Sequence, residues 1–281
     1  MKISFIGTGY VGLVSGVMMS HIGHDVICID TDAAKNTNLK NKQAPIYEPG
    51  LDEYIEKYAN SSRLQFVYGY DEQIQNSDCV FITVGTPPKE NGGADLSGIF
   101  NAVENVCKYV KPRCVIVLKS TIPPGTCATI VEFMKAKGKE ILVVSNPEFL
   151  REGNAIGDFL KPDRIVIGAS NKDAFTIMRN VYKPITDTGV AIVETDLSTS
   201  ELIKYASNTF LANKIAFINE MADLCEIVGA DIATLAEGVG SDKRIGRDFL
   251  KAGPGFGGSC FPKDILALQQ LAKKVDSDFL I

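Results

Sequence analysis

Histidine is scarce, with two in 281 residues, and no HExxH pair occurs. This argues against metal catalysis, and no metal site is expected. The seven cysteines are scattered, odd in number and without CxxC spacing, so neither a disulfide framework nor a zinc site is indicated and a reducing, cytoplasmic compartment is expected. Basic charge is not in excess, since 29 Lys and Arg against 34 Asp and Glu leave −5. Neither a nucleic-acid backbone nor an anionic membrane surface finds a partner there. Long apolar runs are missing too. Those at 79–84 and 141–144 fall far short of the ~20 residues a membrane helix requires. The opening run, Met1 to Ile6, meets glycines too soon for a secretory signal. Internal repeats and low-complexity linkers are absent as well. The remaining composition, 45% hydrophobic and 22% charged, is that of a soluble globular chain of about two domains.

Short apolar runs alternate with helical segments through the first two-thirds. Strands are expected at 2–6, 25–29, 64–67, 79–84, 114–118, 141–144, 164–167 and 191–194, and helices at 11–22, 96–109, 126–135 and 173–182. Strands that are apolar throughout belong to a parallel sheet covered on both faces. The alternation therefore predicts an α/β fold with a doubly wound, Rossmann-type sheet over 1–195. An all-helical central region over 196–281 is expected to follow. From Leu197 to Val228 there is neither Gly nor Pro, and Leu202, Tyr205, Phe210, Ile215, Ile218, Met221 and Leu224 recur at helical spacing. Thr195 and Asp196 are the expected caps and Gly229 the expected stop. A helix of roughly thirty residues is long for a globular protein. Its apolar positions wrap around much of its surface, which implies burial between two bodies or against a second subunit. A short helix over 232–237 and a last one opening at Pro262 complete the reading.

Gly7-Thr8-Gly9-Tyr10-Val11-Gly12 closes a strand and opens a helix. The first glycine permits the turn, the second lets the backbone approach a pyrophosphate, and the third lets helix and strand pack closely. Asp30 ends the next strand, where a carboxylate accepts hydrogen bonds from a ribose 2′-OH and repels a 2′-phosphate, so NAD is the expected cofactor. The plainer alternative is a glycine turn with Asp30 capping a helix.

A second constellation lies at Gly257-Gly258-Ser259-Cys260-Phe261-Pro262-Lys263-Asp264. A helix starting at Pro262 puts Cys260 just outside its N-terminus with Lys263 close by, and both favour thiolate over thiol. Asp264 falls on the face of the first turn nearest the sulfur. Cys28, Cys79, Cys107, Cys114 and Cys225 lie on apolar faces and read as buried, inert residues. Lys204 and Asn208 share a face of the long helix. There they can hold an oxyanion, or they are an ordinary solvated pair. Glu148 and Glu152, in the NPEFLREG segment after a strand, are either a base and a ligand contact or the acidic first turn of a helix. The 83–87 and 119–121 segments end strands at the carboxyl edge of the sheet. Their hydroxyls either face a cofactor or are ordinary loop polar groups.

Taken together, GTGYVG at Gly7, YEPGL at Tyr47, VGTP at Val84, KSTIPPGT at Lys119, NPEFLREG at Asn146, KYASNTFLA at Lys204 and GFGGSCFPKD at Gly255 resemble the UDP-glucose/GDP-mannose dehydrogenase family along essentially the whole chain. Arg244-Ile245-Gly246 with Phe249-Leu250-Lys251 is similar to its UDP-glucose branch. The resemblance implies oxidation of a UDP-sugar C6 alcohol to the carboxylate in two NAD-dependent steps, through a thiohemiacetal and a thioester on Cys260. It implies Lys204 and Asn208 as oxyanion holders, Asp264 as positioning water and assisting deprotonation, and Glu148 and Thr121 as base and water handlers. Tyr10, Val11, Asp30, Lys35, Thr86, Thr121 and Glu152, with Lys263, correspond to NAD contacts. Phe149, Leu150, Glu152, Lys204, Asn208, Arg244, Phe249, Leu250 and Gly257 correspond to sugar-nucleotide contacts. It further implies a homodimer through the long helix, Arg244 reaching the neighbouring subunit's site, and a C-terminal UDP-binding domain that this chain does not include. Two other readings stay open. A two-electron hydroxyacid or 6-phosphogluconate-type dehydrogenase needs no cysteine, and a non-catalytic NAD-binding module turns over no substrate.

Overall fold

The structure, a computed structural model, describes residues 1–278. It divides into two compact units, one made of Met1–Thr86 with Asp95–Leu202 and the other of Pro87–Ala94 with Ile203–Ile281.

The first unit is built on one eight-stranded sheet: β1 (Lys2–Ile6), β2 (Asp25–Asp30), β3 (Leu64–Tyr68), β4 (Cys79–Ile82), β5 (Val115–Leu118), β6 (Leu142–Ser145), β7 (Arg164–Ala169) and β8 (Ala191–Thr195). Their order is β3-β2-β1-β4-β5-β6-β7-β8. Strands β1 to β6 alternate between two cores, as the period of a strand demands, whereas β7 and β8 add apolar residues to the first alone. Phe5, Phe81, Val115 and Val117 enter one cluster, with the helices α1 (Tyr10–His21), α2 (Ala33–Lys40), α3 (Leu51–Asn60), α6 (Ala155–Leu160) and α7 (Lys172–Thr186). Ile6, Ile82, Ile116 and Leu118 enter the other, with α4 (Ser97–Val106) and α5 (Thr126–Ala136). Each large side chain buried in either layer contributes on the order of 1.5–3 kcal/mol.

The sheet is not wholly parallel. β7 runs antiparallel to β6, with Val144 opposite Ala169 and Ser145 opposite Gly168, and β8 follows β7 in parallel. The cause is the connection. A parallel return needs a crossover long enough to carry the chain back along the strands, whereas six-residue α6 spans only about 9 Å. The 146–163 segment therefore stays at the carboxyl end of β6. α8 (Leu197–Val228) also starts beside this edge, for the Ser200 hydroxyl lies 3.1 Å from the Ser145 carbonyl. Glycine at 168 permits that approach, since a Cβ there would stand 2.4 Å from Ser200 Cβ. Of the two expected caps of α8, Asp196 accepts from the backbone and hydroxyl of Thr199, which holds its carboxyl below the usual range. Gly229, at φ +72°, follows the last turn.

The second unit comprises the rest of α8, α9 (Ile232–Gly240), capped by Asp231 on Thr234, an irregular loop and α10 (Phe261–Lys274). Its core joins Tyr205 to Ala267 and Leu268. α8 is not buried all round: Phe210, Phe217, Leu224 and Ile227 are exposed, each seven or three residues from the last. Among the described residues no helix is long and apolar enough to cross a membrane.

Candidate active site

In the first unit, the turn after β1 is built as a phosphate cradle. Gly7 adopts φ +98° and donates to the Ile29 carbonyl at 2.8 Å. Gly9 occupies the N-cap of α1 without a side-chain cap, and a Cβ there would meet nothing within 4 Å, so the turn is open at this position. At Gly12 the reverse holds. A Cβ would stand 2.0 Å from the Gly7 carbonyl and 2.4 Å from Thr83 Oγ1, so only a hydrogen fits. Tyr10 and Val11, half-buried, complete the turn.

Asp30 ends β2 beside this cradle. Its Oδ2 accepts from both the amide and the hydroxyl of Thr8 at 2.7 Å, and its Oδ1 from the Asp32 amide at 2.9 Å. Lys35 Nζ lies 3.9 Å from Oδ2. Burial pushes the carboxyl pKa up, but these donors and the lysine outweigh it and hold the group below its ordinary value. Oδ1 keeps acceptor capacity for a ribose hydroxyl, and the fixed negative charge opposes a 2′-phosphate. An open glycine N-cap, a glycine packed against Thr83 and a fixed carboxylate fit NAD.

The carboxyl ends of β4, β5 and β6 carry the remaining hydroxyls and acids of this unit. The Thr86 hydroxyl donates to the Thr121 carbonyl at 3.0 Å, which brings these two residues together. Beneath them Lys119 Nζ donates to Asn146 Oδ1 at 3.2 Å, and the Tyr182 hydroxyl donates to the same oxygen at 2.6 Å. Burial pushes the Tyr182 hydroxyl pKa up. Glu148 is buried and its Oε2 accepts from the Leu150 amide at 2.6 Å. The Phe149 ring lies under the Arg164 guanidinium, 3.6 Å from ring centre. Leu150 is half-buried, and Glu152 is exposed.

One acid in this unit was not singled out from the sequence. Glu48, in the loop before α3, is buried and accepts a hydrogen bond from the Tyr10 hydroxyl. It also accepts from the amides of Gly153 at 2.9 Å and Ile156 at 3.3 Å. The only local signal is the Tyr47-Glu48-Pro49-Gly50 turn itself.

The second unit gathers its own constellation at the start of α10. Cys260 is the residue immediately before that helix. It is exposed, whereas Cys28, Cys79, Cys107, Cys114, Cys127 and Cys225 are buried. Burial pushes the thiol pKa of Cys28 and Cys114 up to about 12 and that of Cys107 to about 11, so these remain unreactive thiols. The side-chain oxygen of Ser259 lies 3.6 Å from Cys260 Sγ. Asp264, 1% exposed, receives Asn208 Nδ2 at 2.6 Å and Lys263 Nζ at 2.6 Å. The Lys263 ammonium is thus engaged by the carboxylate one residue on, rather than offered to the sulfur alone. Lys204 is buried one turn before Asn208 on α8.

The outer residues of the set lie on the loop between α9 and α10. Arg244 is exposed and pairs with Asp242 at 2.6 Å. Phe249 takes a left-handed backbone, φ +64°, with its ring 6.2 Å from that of Phe261. Leu250 is buried and Gly257 exposed. Among the described residues no three His, Cys, Asp or Glu side chains converge as metal ligands.

Comparison with known proteins bears on both units. Residues 1–186 match the NAD binding domain of the UDP-glucose/GDP-mannose dehydrogenase family, and residues 198–281 match that family's central domain. A UDP-glucose 6-dehydrogenase of Rickettsia bellii is 57% identical over 282 residues, covering 100% of this chain and 65% of that protein. One from Bacillus subtilis is 49% identical over 283 residues, covering 99% and 63%. Among solved structures, a UDP-glucose dehydrogenase from Pyrobaculum islandicum superposes with TM-score 0.94 at 41% identity, over 99% of this chain and 65% of that one. A ternary complex of GDP-mannose dehydrogenase from Pseudomonas aeruginosa gives 0.83 at 32%, over 99% and 66%. The chain therefore spans just under two thirds of the length of these relatives.

Proposed function

The chain belongs to the UDP-glucose/GDP-mannose dehydrogenase family, and from that premise we propose that the whole protein oxidises the C6 alcohol of UDP-glucose to the carboxylate, through a covalent intermediate on Cys260. The first unit is the family's NAD-binding domain. NAD, when bound, supplies the hydride acceptor for each of two oxidations. The observation that carries the proposal is the network in which buried Asp264 accepts from buried Asn208 and half-buried Lys263, in the first turn of the helix that follows the one exposed cysteine among the described residues.

The chemistry follows from those groups. The first oxidation removes a hydride from C6 and a proton from its hydroxyl, the proton leaving with the assistance of Asp264, and gives an aldehyde. Cys260 thiolate adds to its carbon, and the carbonyl electron pair moves onto oxygen. Asn208 gives one N–H to Asp264, which fixes the amide and leaves its second N–H for that oxyanion. Lys204 supplies positive charge to the same oxygen. Loss of the second hydride re-forms the carbonyl as a thioester. Water, positioned by Glu148 and Thr121 as base and hydroxyl, then adds to the acyl carbon. The C–S bond breaks, the thiolate returns and the carboxylate leaves. Sulfur suits both halves, because it adds reversibly to carbonyls and departs readily from acyl carbon. The test is a panel assay on the full-length protein. UDP-glucose is expected to be turned over with NAD at least about tenfold faster in kcat/KM than GDP-mannose or UDP-N-acetyl sugars, a difference of roughly 1.4 kcal/mol. Equal rates would contradict the assignment of substrate.

The exposed stripe of Phe210, Phe217 and Leu224 on α8 supports a homodimer through this helix. Its seven-residue spacing is that of a helix seam. In that assembly Arg244 is assigned to the neighbouring subunit's site. Sedimentation equilibrium is expected to give twice the chain mass, and a monomer at micromolar concentration would contradict it.

A further inference from the structure

We infer that Glu48 is a positioning residue whose carboxylate clasps the first turn of α1 to the 148–156 segment, so that Tyr10 and Glu48 act as one device setting where Glu148 and Glu152 stand. Glu48 lies outside any helix or strand, on the loop between α2 and α3, and is 6% exposed. A carboxylate withdrawn from water costs several kcal/mol unless its oxygens are satisfied. Its donors come from afar: the Tyr10 hydroxyl is 38 residues away in sequence and the Gly153 and Ile156 amides are 105 and 108 away. The Gly153 amide is shared between Glu48 Oε2 and Tyr10 Oη, each at 2.9 Å. Tyr10 therefore donates a hydrogen bond to the carboxylate and accepts one from the backbone next to Glu152.

The two ends of this clasp are the two segments that carry the cofactor-binding and water-handling assignments above. Tyr10 belongs to the phosphate-cradling turn, and Gly153 adjoins Glu152, which is assigned to NAD. Burial and the Glu48 bond push the Tyr10 phenol pKa up, so the hydroxyl keeps its proton and the clasp stays closed through the neutral range. The amide of glutamine cannot replace this carboxylate. Either way round, one of its two acceptor positions becomes an N–H facing the N–H of Gly153 or Ile156. The inference rests on the NAD reading of the first unit.

Three variants of the present chain test it: Glu48→Gln, Tyr10→Phe and the double substitution. In the absence of NAD, the Gly153 and Ile156 amides are expected to exchange with solvent at least about tenfold faster in Glu48→Gln, while far-UV circular dichroism is unchanged. NAD affinity by calorimetry is expected to fall about five- to twentyfold in each single variant, and the double variant to be no weaker than the weaker single one, as two halves of one device require. Tyr10→Phe keeps the ring and loses only the hydroxyl, so it decides alone if Glu48→Gln does not fold. Affinities within about twofold of the parent, or losses that multiply in the double variant, would overturn the inference. A parent chain that fails to bind NAD sinks the cofactor reading instead, and the exchange rates of the ligand-free chain then still decide the clasp.

Discussion

Cys260→Ser in the full-length protein is expected to lower uronate formation by more than about a thousandfold, while NAD still binds. Serine keeps the shape and the place before α10, and Asn208, Asp264 and Lys263 remain hydrogen-bonded to one another. The change is therefore chemical rather than structural. A hydroxyl at neutral pH is almost wholly protonated, adds poorly to an aldehyde and leaves poorly from an acyl carbon. The six other cysteines cannot stand in, because they are buried. Steady-state measurement of the acid product is the check. A serine variant making acid at the parent rate would mean that the sulfur takes no part. That outcome would favour a hydroxyacid-type mechanism that never forms a thioester.

Gly12→Ala and Gly9→Ala, one helical turn apart in sequence, are expected to fail in different ways. At Gly12 the added methyl would lie 2.0 Å from a backbone oxygen and 2.4 Å from Thr83 Oγ1. Thr83 cannot simply swing away, since its hydroxyl already bonds the Ile6 and Gly7 carbonyls. Relief requires α1 to move off β1, at a cost of about 1–3 kcal/mol. Thermal melting should drop by roughly 2–4 °C for each kcal/mol lost, and NAD affinity by more than about a hundredfold, near 2.7 kcal/mol. At Gly9 the methyl meets no protein atom within 4 Å. The fold should melt as the parent does, and only NAD binding should suffer, because the methyl fills the space where the pyrophosphate approaches. Melting curves with NAD titrations separate the two. A Gly12→Ala protein as stable as the parent would contradict the packing account, and a Gly9→Ala protein with parent affinity would contradict the cradle.

Much of this arrangement was legible in the chain because its signals are local. Strands β1 to β6 are short runs whose alternate residues enter opposite layers, and Asp196 and Gly229 mark both ends of α8. Strand direction left no such mark. Nothing within Arg164–Ala169 differs from a parallel strand, since its reversal goes with the shortness of α6, six residues where the equally long connection from β1 to β2 carries the twelve of α1. The helices α2, α3 and α6 were not foreseen either. α2 is AAKNTNLK, almost without an apolar stripe, and stands on its Asp32 cap, which accepts from Ala34 and Lys35. The six residues of α6 are too few to display a period. At the site, the glycine turn and Asp30 were readable from spacing, as was the place of Cys260 before a helix. Glu48 was not, because its burial is created by amides more than a hundred residues away. The pairing of Lys263 with Asp264 was likewise hidden, since adjacent residues on a helix do not ordinarily face each other and only the buried carboxylate draws the ammonium in.

The most direct test of a sulfur-bound, four-electron oxidation is to count NADH formed per UDP-glucose consumed by the full-length protein, with a carbonyl-trapping amine present. Two NADH per sugar, with no aldehyde appearing on the amine, is the predicted result. A single NADH, with the aldehyde captured outside the protein, would contradict it.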